Sequence, residues 1–364
     1  MGASPRVTKF GRLLVAACWL LASPTVAQET SWQSLTDAAV EAYKLGRYGE
    51  AEKLFLEALQ EAEKLRDNSH LATSLNNLAT VYMRQGKHSE AEPLYQRSLV
   101  LLERTLGSAH PNLASTLDNL AMVYLRQGKH VDAEEHSKRA LAILERSLGP
   151  EHHDVAVSLN NLAEIYKLQG KHGDALPLYQ RSLAIKIKIL GPNHPTNAIS
   201  LNNLAEVRRA QGFYKQAELL YRQALLIWEN AFPSGHPEMA VTLNSLGALY
   251  YEQGEYKQAV PLLQRALVIE EQMLAPDYPR FGVTVFNLAS VYDALGRYPE
   301  AEDLYRRVLS IWETNLGPEH ENSAAALEKY ATLLRKTDRK KDADKLEARA
   351  KVIRAKHAQE NPEK

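Results

Sequence analysis

The sequence has little cysteine. The only one is Cys18, which lies in an apolar stretch close to the amino terminus. If residues 1–27 are removed as a leader, the rest of the chain contains no thiol. The mature chain then forms no disulfide, and it carries neither thiol catalysis nor a zinc–thiolate site.

An excess of charge of either sign is also missing. The 44 Lys and Arg residues balance the 44 Asp and Glu residues, so the formal net charge is +0. A protein that binds nucleic acid normally shows a strong basic excess, so we expect no nucleic-acid partner. After the amino-terminal stretch there is no second long apolar run, and we expect no integral membrane segment in the mature chain.

Catalytic motifs are absent as well. The sequence has no GxSxG elbow, no HExxH pair and no glycine-rich phosphate loop. A histidine series does recur, but members one repeat apart would lie about 20 Å apart, too far to share a metal ion. We therefore expect these histidines to cap or pack at the start of the following helix, and we expect no enzyme activity, no cofactor and no metal site. The series comprises His110, His152, His194, His236 and His320. An enzyme of an unrecognised type stays an alternative, which a metal or cofactor bound to the purified protein would support.

Residues 1–27 have the layout of a secretory signal peptide. Three positive residues precede the apolar segment LLVAACWLLA (residues 13–22), and small residues suit cleavage after Ala27. We expect an exported protein, located in a bacterial periplasm or outside the cell. Lipid attachment at Cys18 is an alternative, which the continuation of the apolar run past Cys18 disfavours.

What the sequence does contain is one phrase repeated every 42 residues. LNNLA begins at Leu75, Leu159 and Leu201, and variants begin at Leu117, Leu243 and Val285. Within the phrase, apolar residues at i, i+3, i+4 and i+7 predict a helix, and a second amphipathic stretch follows. Between the two stretches stands a glycine, where we expect a sharp turn with positive φ. These turn positions are Gly46, Gly86, Gly128, Gly170, Gly212, Gly254, Gly296 and, in the eighth copy, Asp338.

These features resemble the tetratricopeptide repeat, in the lengthened form found in kinesin light chains. The resemblance rests on LNNLA, QGK, EAEPLYQRSL (residues 90–99) and LGPNHP (residues 190–195), and it covers about residues 30–355. It implies an all-α fold, a right-handed α-solenoid of about eight antiparallel helix pairs over residues 28–357, followed by a flexible tail at 358–364. Kinesin light chains are cytosolic and pair through a heptad coiled coil. Because this chain has a secretory leader and no such segment, we do not expect a motor subunit.

The asparagines of the repeated phrase lie between the packed positions and must point elsewhere. By resemblance, the first helices line a concave groove, where asparagine side chains would hydrogen-bond the backbone of an extended peptide. The alternative is a ladder in which asparagines bond the neighbouring helix and set its register. The candidate binding residues are Asn76, Asn77, Arg84, Asn119, Arg126, Asn160, Asn161, Lys167, Asn202, Asn203, Arg209, Asn244, Tyr251 and Asn287.

Charges near these asparagines suggest a gradient along the groove. Cations stand in copies two to five, and aromatic and acidic residues such as Tyr251 follow. A peptide with an acidic segment and a hydrophobic anchor would match that order, whereas a solvated helix face is the alternative. The sequence therefore predicts an exported scaffold or adaptor that binds a protein or peptide. A self-assembly module of the cell envelope is the second interpretation, which the charged eighth copy disfavours.

Overall fold

The computed structural model describes residues 24–273 and 281–360, and of residues 24–28, 359 and 360 it describes only the backbone. The regular structure in these ranges is sixteen α-helices, with no strand. Residues 1–23, including Cys18, lie outside the described part, as do the last four residues of the predicted tail. The prediction of an all-α fold built from antiparallel helix pairs is confirmed.

The first of two compact units ends at Gly128. Within it α1 packs on α2, and α3 packs on α4 and α5. Each of these helices is amphipathic, with small and apolar residues on the buried side. The bounds are α1 Pro24–Lys44, α2 Tyr48–Leu65, α3 Asn68–Arg84, α4 His88–Leu106 and α5 Asn112–Arg126.

The second unit begins at Lys129. It holds five complete helix pairs, from α7 with α8 to α15 with α16, and each first helix also contacts the next first helix or the preceding second helix. The bounds are α6 His130–Leu148, α7 His153–Leu168, α8 His172–Leu190, α9 Pro195–Ala210, α10 Tyr214–Ala231, α11 Pro237–Glu252, α12 Tyr256–Met273, α13 Phe281–Ala294, α14 Tyr298–Leu316, α15 Glu321–Lys336 and α16 Lys340–Glu360. Helix α16 thus continues three residues past the predicted boundary at residue 357.

The turn within each pair is made by one residue in the left-handed region. At Gly170 φ is 72°, and the N–H of the next residue, Lys171, reaches the Tyr166 carbonyl at 2.8 Å. This arrangement satisfies a carbonyl that the end of the helix would otherwise leave unpaired. Asp338 takes the same role in the last pair with φ 60°, since aspartate tolerates this conformation better than most residues.

The linker histidines cap the first helices. In His152 the ring Nδ1 accepts from the backbone N–H of Asp154 at 3.2 Å, two residues further on. The same contact, at 3.1–3.3 Å, recurs at His110, His194, His236 and His320. The prediction that these histidines cap the following helix is confirmed, and each cap satisfies an N–H of the first helical turn.

Small residues let the two helices of a pair approach closely. Ala163 and Ala175 are fully buried and pack with the buried ring of Tyr179. The seventh pair has a second small residue fourteen positions before its turn, Gly282, where a Cβ atom would lie 2.1 Å from Nε1 of Trp312. Large side chains therefore fill the space that small ones leave on the partner helix.

The described residues offer neither a metal centre nor a membrane-spanning helix. Among them no group of three or more His, Cys, Asp or Glu side chains converges in a way that would hold a metal ion. None of the helices described is both long and apolar enough to cross a membrane. The remaining candidate is the surface shared by the first helices.

Candidate functional site

Four successive first helices of the second unit, α7, α9, α11 and α13, line a cavity of about 570 Å³, here called the groove. It is open to solvent, and its lining combines amide, charged and aliphatic side chains. Of the predicted binding residues it brings together Lys167, Asn202, Asn203, Arg209, Asn244, Tyr251 and Asn287. Asn160 and Asn161 are half-buried on α7, the helix that contributes Lys167.

The remaining candidates belong to the first unit. Asn76 lines a smaller recess of about 250 Å³ between α3, α4 and α5, together with Thr116. Asn77 and Asn119 are half-buried, and Arg84 and Arg126 are exposed.

Some asparagines join successive first helices. Asn203 Nδ2 donates to Asn160 Oδ1 at 3.2 Å, and Asn287 Nδ2 donates to Asn244 Oδ1 at 2.9 Å. We call these two contacts the asparagine ladder. A primary amide has two N–H donors and an oxygen with two lone pairs, so a single ladder bond leaves hydrogen-bonding capacity for a ligand. Ladder and ligand binding are therefore compatible roles for the same side chains.

Between α9 and α11 the ladder is interrupted, because Ser245 stands where the neighbouring pairs have asparagine. Asn202 is 9% exposed, and its Oδ1 is buried with no hydrogen-bond partner among the described residues. The Ser245 hydroxyl instead interacts with the Tyr221 side chain. The shorter serine side chain thus leaves one amide oxygen of the ladder unsatisfied.

The cations of the groove are paired with glutamates. Lys167 Nζ lies 2.6 Å from Glu164 Oε2, the same oxygen that accepts from the Tyr179 hydroxyl at 2.7 Å. Burial and the Glu164 carboxylate both raise the pKa of Tyr179, so the phenol stays protonated and donates. The middle of the groove is therefore a row of neutralised pairs, rather than the basic surface expected from the sequence.

A second cluster of this kind stands on the next first helix. Arg209 lies 3.1 Å from Glu206 and 4.0 Å from Glu252, while the Tyr221 hydroxyl donates to Glu206 at 2.5 Å. Burial works to lower the pKa of Arg209, but the carboxylates outweigh it and the net shift is upward. The guanidinium is consequently held in place on the groove wall as a fixed cation.

The four predicted cations occupy two different positions of the repeat. Arg84 and Arg126 stand two residues before the turn glycine, whereas Lys167 and Arg209 stand three before it. One residue rotates a side chain about 100° around a helix, so the two sets face different neighbours. Arg84 Nε donates to the Tyr43 hydroxyl at 2.7 Å, bridging to the preceding pair.

An aliphatic row along the groove was not foreseen from the sequence. Thirteen residues before each turn stand Val157, Ile199, Val241 and Val283, of which Val157, Ile199 and Val283 are 38–40% exposed. Val241 and Val283 line the groove. In the sequence this row is visible as a β-branched residue every 42 positions, each directly before a serine or threonine. The row adds apolar contact area beside the amides.

Comparison with known proteins identifies the repeat. The family model described as tetratricopeptide repeat matches residues 37–99, 70–146, 116–188, 154–225, 196–271 and 283–351. No match was found among the curated proteins.

Among solved structures, a kinesin light chain of Podosopora anserina with nearly identical TPR-like repeats shares 28% identity, with 56% of this chain and 97% of that chain covered and a TM-score of 0.48. BtubC (BKLC) of P. vanneervenii shares 25% identity over 68% of this chain and 92% of that chain, with a TM-score of 0.50. The apo form of the quorum sensor NprR of B. thuringiensis is 13% identical, covers 90% of this chain and 88% of that chain with a TM-score of 0.69, and shows the likeness of fold alone. On the family match over most of its length, this chain belongs to the tetratricopeptide repeat family.

Proposed function

We propose that this protein is a binding scaffold that holds an extended peptide segment of a partner protein in the groove. The observation that carries the proposal is the 570 Å³ cavity, which is lined by amides from α9, α11 and α13 beside an aliphatic row. An extended peptide presents its N–H and C=O groups at regular intervals, and amide side chains match both. Membership of the tetratricopeptide repeat family supports a protein partner.

Different side chains of the groove would contact different parts of the peptide. Asn203, Asn244 and Asn287 stand in the groove with unused amide capacity and would bond the peptide backbone. Val241 and Val283 would contact its apolar side chains, since burying them removes apolar area from water. Tyr251, whose ring centroid is 5.6 Å from that of Tyr256, offers a flat surface for an aromatic or aliphatic anchor.

A peptide library tests the proposal on the purified chain from residue 28 to 364. Random decapeptides displayed on beads are sorted for binding, and selected sequences are resynthesised and measured by fluorescence polarisation. Val283→Glu places a charge on the aliphatic row and should weaken selected peptides at least 10-fold, since a buried unpaired charge is costly. Val352→Glu, at a 65% exposed position of α16, is the matched control and should bind like the native protein.

Two results would overturn this function. One is that the native protein selects no peptide at all, and the other is that Val283→Glu binds the selected peptides as well as Val352→Glu does. Circular dichroism of both variants separates a loss of binding from a loss of folding.

We also propose that the chain is exported. The support is the charge and hydrophobicity layout of residues 1–27. Cleavage after Ala27 would leave the packed part of α1 in place, because Trp32 is the first buried side chain described in that helix. Mass spectrometry of the protein from cell fractions should find Gln28 as the first residue of the exported form. A lipidated amino terminus at Cys18 would replace this proposal with the lipoprotein alternative, and an intact leader in the cytoplasm would overturn it.

A further inference from the structure

A cavity separate from the groove opens between the second helices α12 and α14, and we call it the second-helix crevice. It has a volume of about 560 Å³ and shares no lining residue with the groove. Val268 of α12 and Leu304 of α14 line it with aliphatic side chains, and α13 adds the buried Leu288. Because Val268 is 49% exposed, the crevice offers apolar surface to solvent.

The crevice lacks an ion pair that joins the second helices of other pairs to the turn that follows. In those pairs a glutamate six residues after one turn reaches the cation directly after the next turn, at 2.8–3.1 Å: Glu52 with Lys87, Glu134 with Lys171, and Glu302 with Arg339. In the sixth pair Val260 stands at the glutamate position. The corresponding cation, Arg297, instead pairs with Glu300 at 2.9 Å and lies over the Tyr292 ring. On the side of the turns, the crevice is therefore left without this bridge.

One negative charge at the crevice is uncompensated. Its lining includes two carboxylates and no lysine or arginine. Glu300 is neutralised by Arg297, whereas Asp303 is exposed and forms no ion pair within the described part of the chain. Gln264 donates from Nε2 to the Tyr292 hydroxyl at 2.8 Å, so the polar groups of the wall are largely occupied with each other. An occupant that complements this surface carries an apolar group and a cation.

The length of the crevice limits how far apart these two groups can be. It is lined by α12 from Gln264 to Val268 and by α14 from Glu300 to Leu304. Each stretch spans about 6 Å along its helix, which is close to one helical turn. Residues i and i+3 or i+4 of a helix are separated by a similar distance. A helix laid along the crevice can therefore place one apolar side chain and one cation in it, as in other complexes of a helix with an apolar groove.

We propose that the second-helix crevice binds a helix of a partner protein that presents a large apolar side chain and, three or four residues away, a lysine or arginine. The apolar side chain packs against Val268, Leu288 and Leu304, which removes apolar area from water. The cation pairs with Asp303 at the rim. Since the crevice and the groove share no residue, the chain can hold a helix of this kind and an extended peptide at the same time.

A library of helical peptides tests the crevice on the purified chain from residue 28 to 364. Peptides of about 18 residues, long enough to form a helix, are displayed on beads, sorted for binding and measured by fluorescence polarisation. Val268→Lys removes apolar contact and repels the peptide cation, so it should weaken the selected peptides about 10-fold or more. Gln60 holds the same place of the repeat on α2 and is exposed, so a long polar side chain is compatible with the fold.

Val352→Lys is the matched control. Val352 also stands fourteen residues after its turn, is 65% exposed, and belongs to α16, which no described helix follows to complete a crevice. This variant should bind the selected peptides like the native protein. Circular dichroism of both variants separates a loss of binding from a loss of folding.

A double-mutant cycle identifies the partner of the peptide cation. Asp303→Asn should weaken the selected peptides about 2- to 5-fold at low salt, the range of an exposed ion pair. Replacing the lysine or arginine of the peptide by glutamine should weaken binding to the native protein by a similar factor and leave binding to Asp303→Asn unchanged. If both proteins respond equally to this replacement, the proposed pairing with Asp303 is wrong.

Two further results would overturn the crevice as a binding surface. One is that the helical library yields no peptide that binds the native protein, and the other is that Val268→Lys binds the selected peptides as well as Val352→Lys does. Neither result bears on the groove, which the decapeptides and Val283→Glu test separately. A helical peptide that binds Val283→Glu normally and loses affinity for Val268→Lys supports the crevice as a second, independent surface.

Discussion

In the second unit, the asparagine ladder joins first helices through neutral amides, whereas a regular row of ion pairs joins second helices. The asparagine ladder uses half-buried side chains, while the ion pairs are 32–47% exposed at both partners. They link residues 36 apart: Glu145 with Arg181, Glu229 with Arg265, Glu271 with Arg307, and Glu313 with Arg349. Exposed pairs are screened by water and salt, so they contribute little each. On the groove side the asparagine ladder therefore adds contacts whose strength does not depend on salt to the ion pairs Arg209–Glu252 and Lys336–Asp293.

Removing a ladder donor should have the largest effect. Asn287→Leu leaves the half-buried Asn244 amide oxygen without its partner, and we expect a loss of about 1–3 kcal/mol in the free energy of unfolding. Urea titration followed by circular dichroism measures it. Asn77→Leu in the first unit is the control, since the structure describes no side-chain hydrogen bond for Asn77. Equal losses in the two variants would mean that the ladder bond has no special weight.

An ion pair between successive helix pairs should make the stability of the protein depend on pH. Glu134 Oε1 lies 2.6 Å from Lys138 Nζ, and its Oε2 lies 2.9 Å from Lys171 Nζ. Hydrogen bonds from these ammonium groups, Lys138 first, lower the pKa of Glu134 to about 2. Because the pKa is lower in the folded than in the unfolded chain, the stabilisation is complete above about pH 4.5 and is lost as the pH falls toward 2.

Glu134→Gln should therefore be less stable than the native protein at pH 7, by about 1 kcal/mol. The two melting temperatures should converge between pH 4.5 and pH 2.5. A difference that stays constant over this range would show that the carboxylate charge plays no part. The asparagine variant provides the contrast, since its deficit should not change with pH.

Completing the interrupted ladder should stabilise the protein. Ser245→Asn supplies a donor for Asn202 Oδ1, which has no partner among the described residues, and we expect a gain of up to about 1 kcal/mol. Ser245→Ala is the control and should not gain stability, because it removes the contact with Tyr221 and adds no donor. A destabilised Ser245→Asn would show that the larger side chain does not fit against α9.

The smallest effect is expected for a single ion pair of the second helices. Arg265→Gln removes a pair whose side chains are 47% and 43% exposed. We expect a change within about 0.5 kcal/mol at low salt and none at 1 M NaCl. A larger effect that survives high salt would mean that these ion pairs stabilise the protein as much as the asparagine ladder does.

Much of the fold followed from the sequence because the repeat fixes local geometry. At every turn but the last, glycine provides the positive φ, and the linker histidines cap the following helix. Both features have local causes that depend on few other residues. The asparagine positions were visible too, but which amide bonds which depends on the neighbouring pair. Because Ser245 stands in place of asparagine, the Oδ1 atom of Asn202 has no hydrogen-bond partner among the described residues.

The groove chemistry was harder to foresee because it depends on register and reach. Arg84 stands two residues before its turn glycine, whereas Lys167 stands three residues before its own. The shared positive charge of the two residues does not reveal this difference in position. The glutamate partners of Lys167 and Arg209 lie one helical turn away and neutralise them.

The contact between Gly282 and Trp312 bears on how the repeats of this chain can recombine with one another. Recombination between repeats joins a first helix of one pair to α14 of another, and on the present backbone a Cβ atom at residue 282 would lie 2.1 Å from Nε1 of Trp312. The fifth pair buries Ala198 and Trp228 at the same two positions, so the clash is specific to the packing of the seventh pair. The reverse exchange would set Gly282 against a smaller side chain and leave a void. Crossovers in the linkers between pairs keep the two residues together. For the seventh pair, the heritable module is therefore the whole helix pair, not the single helix.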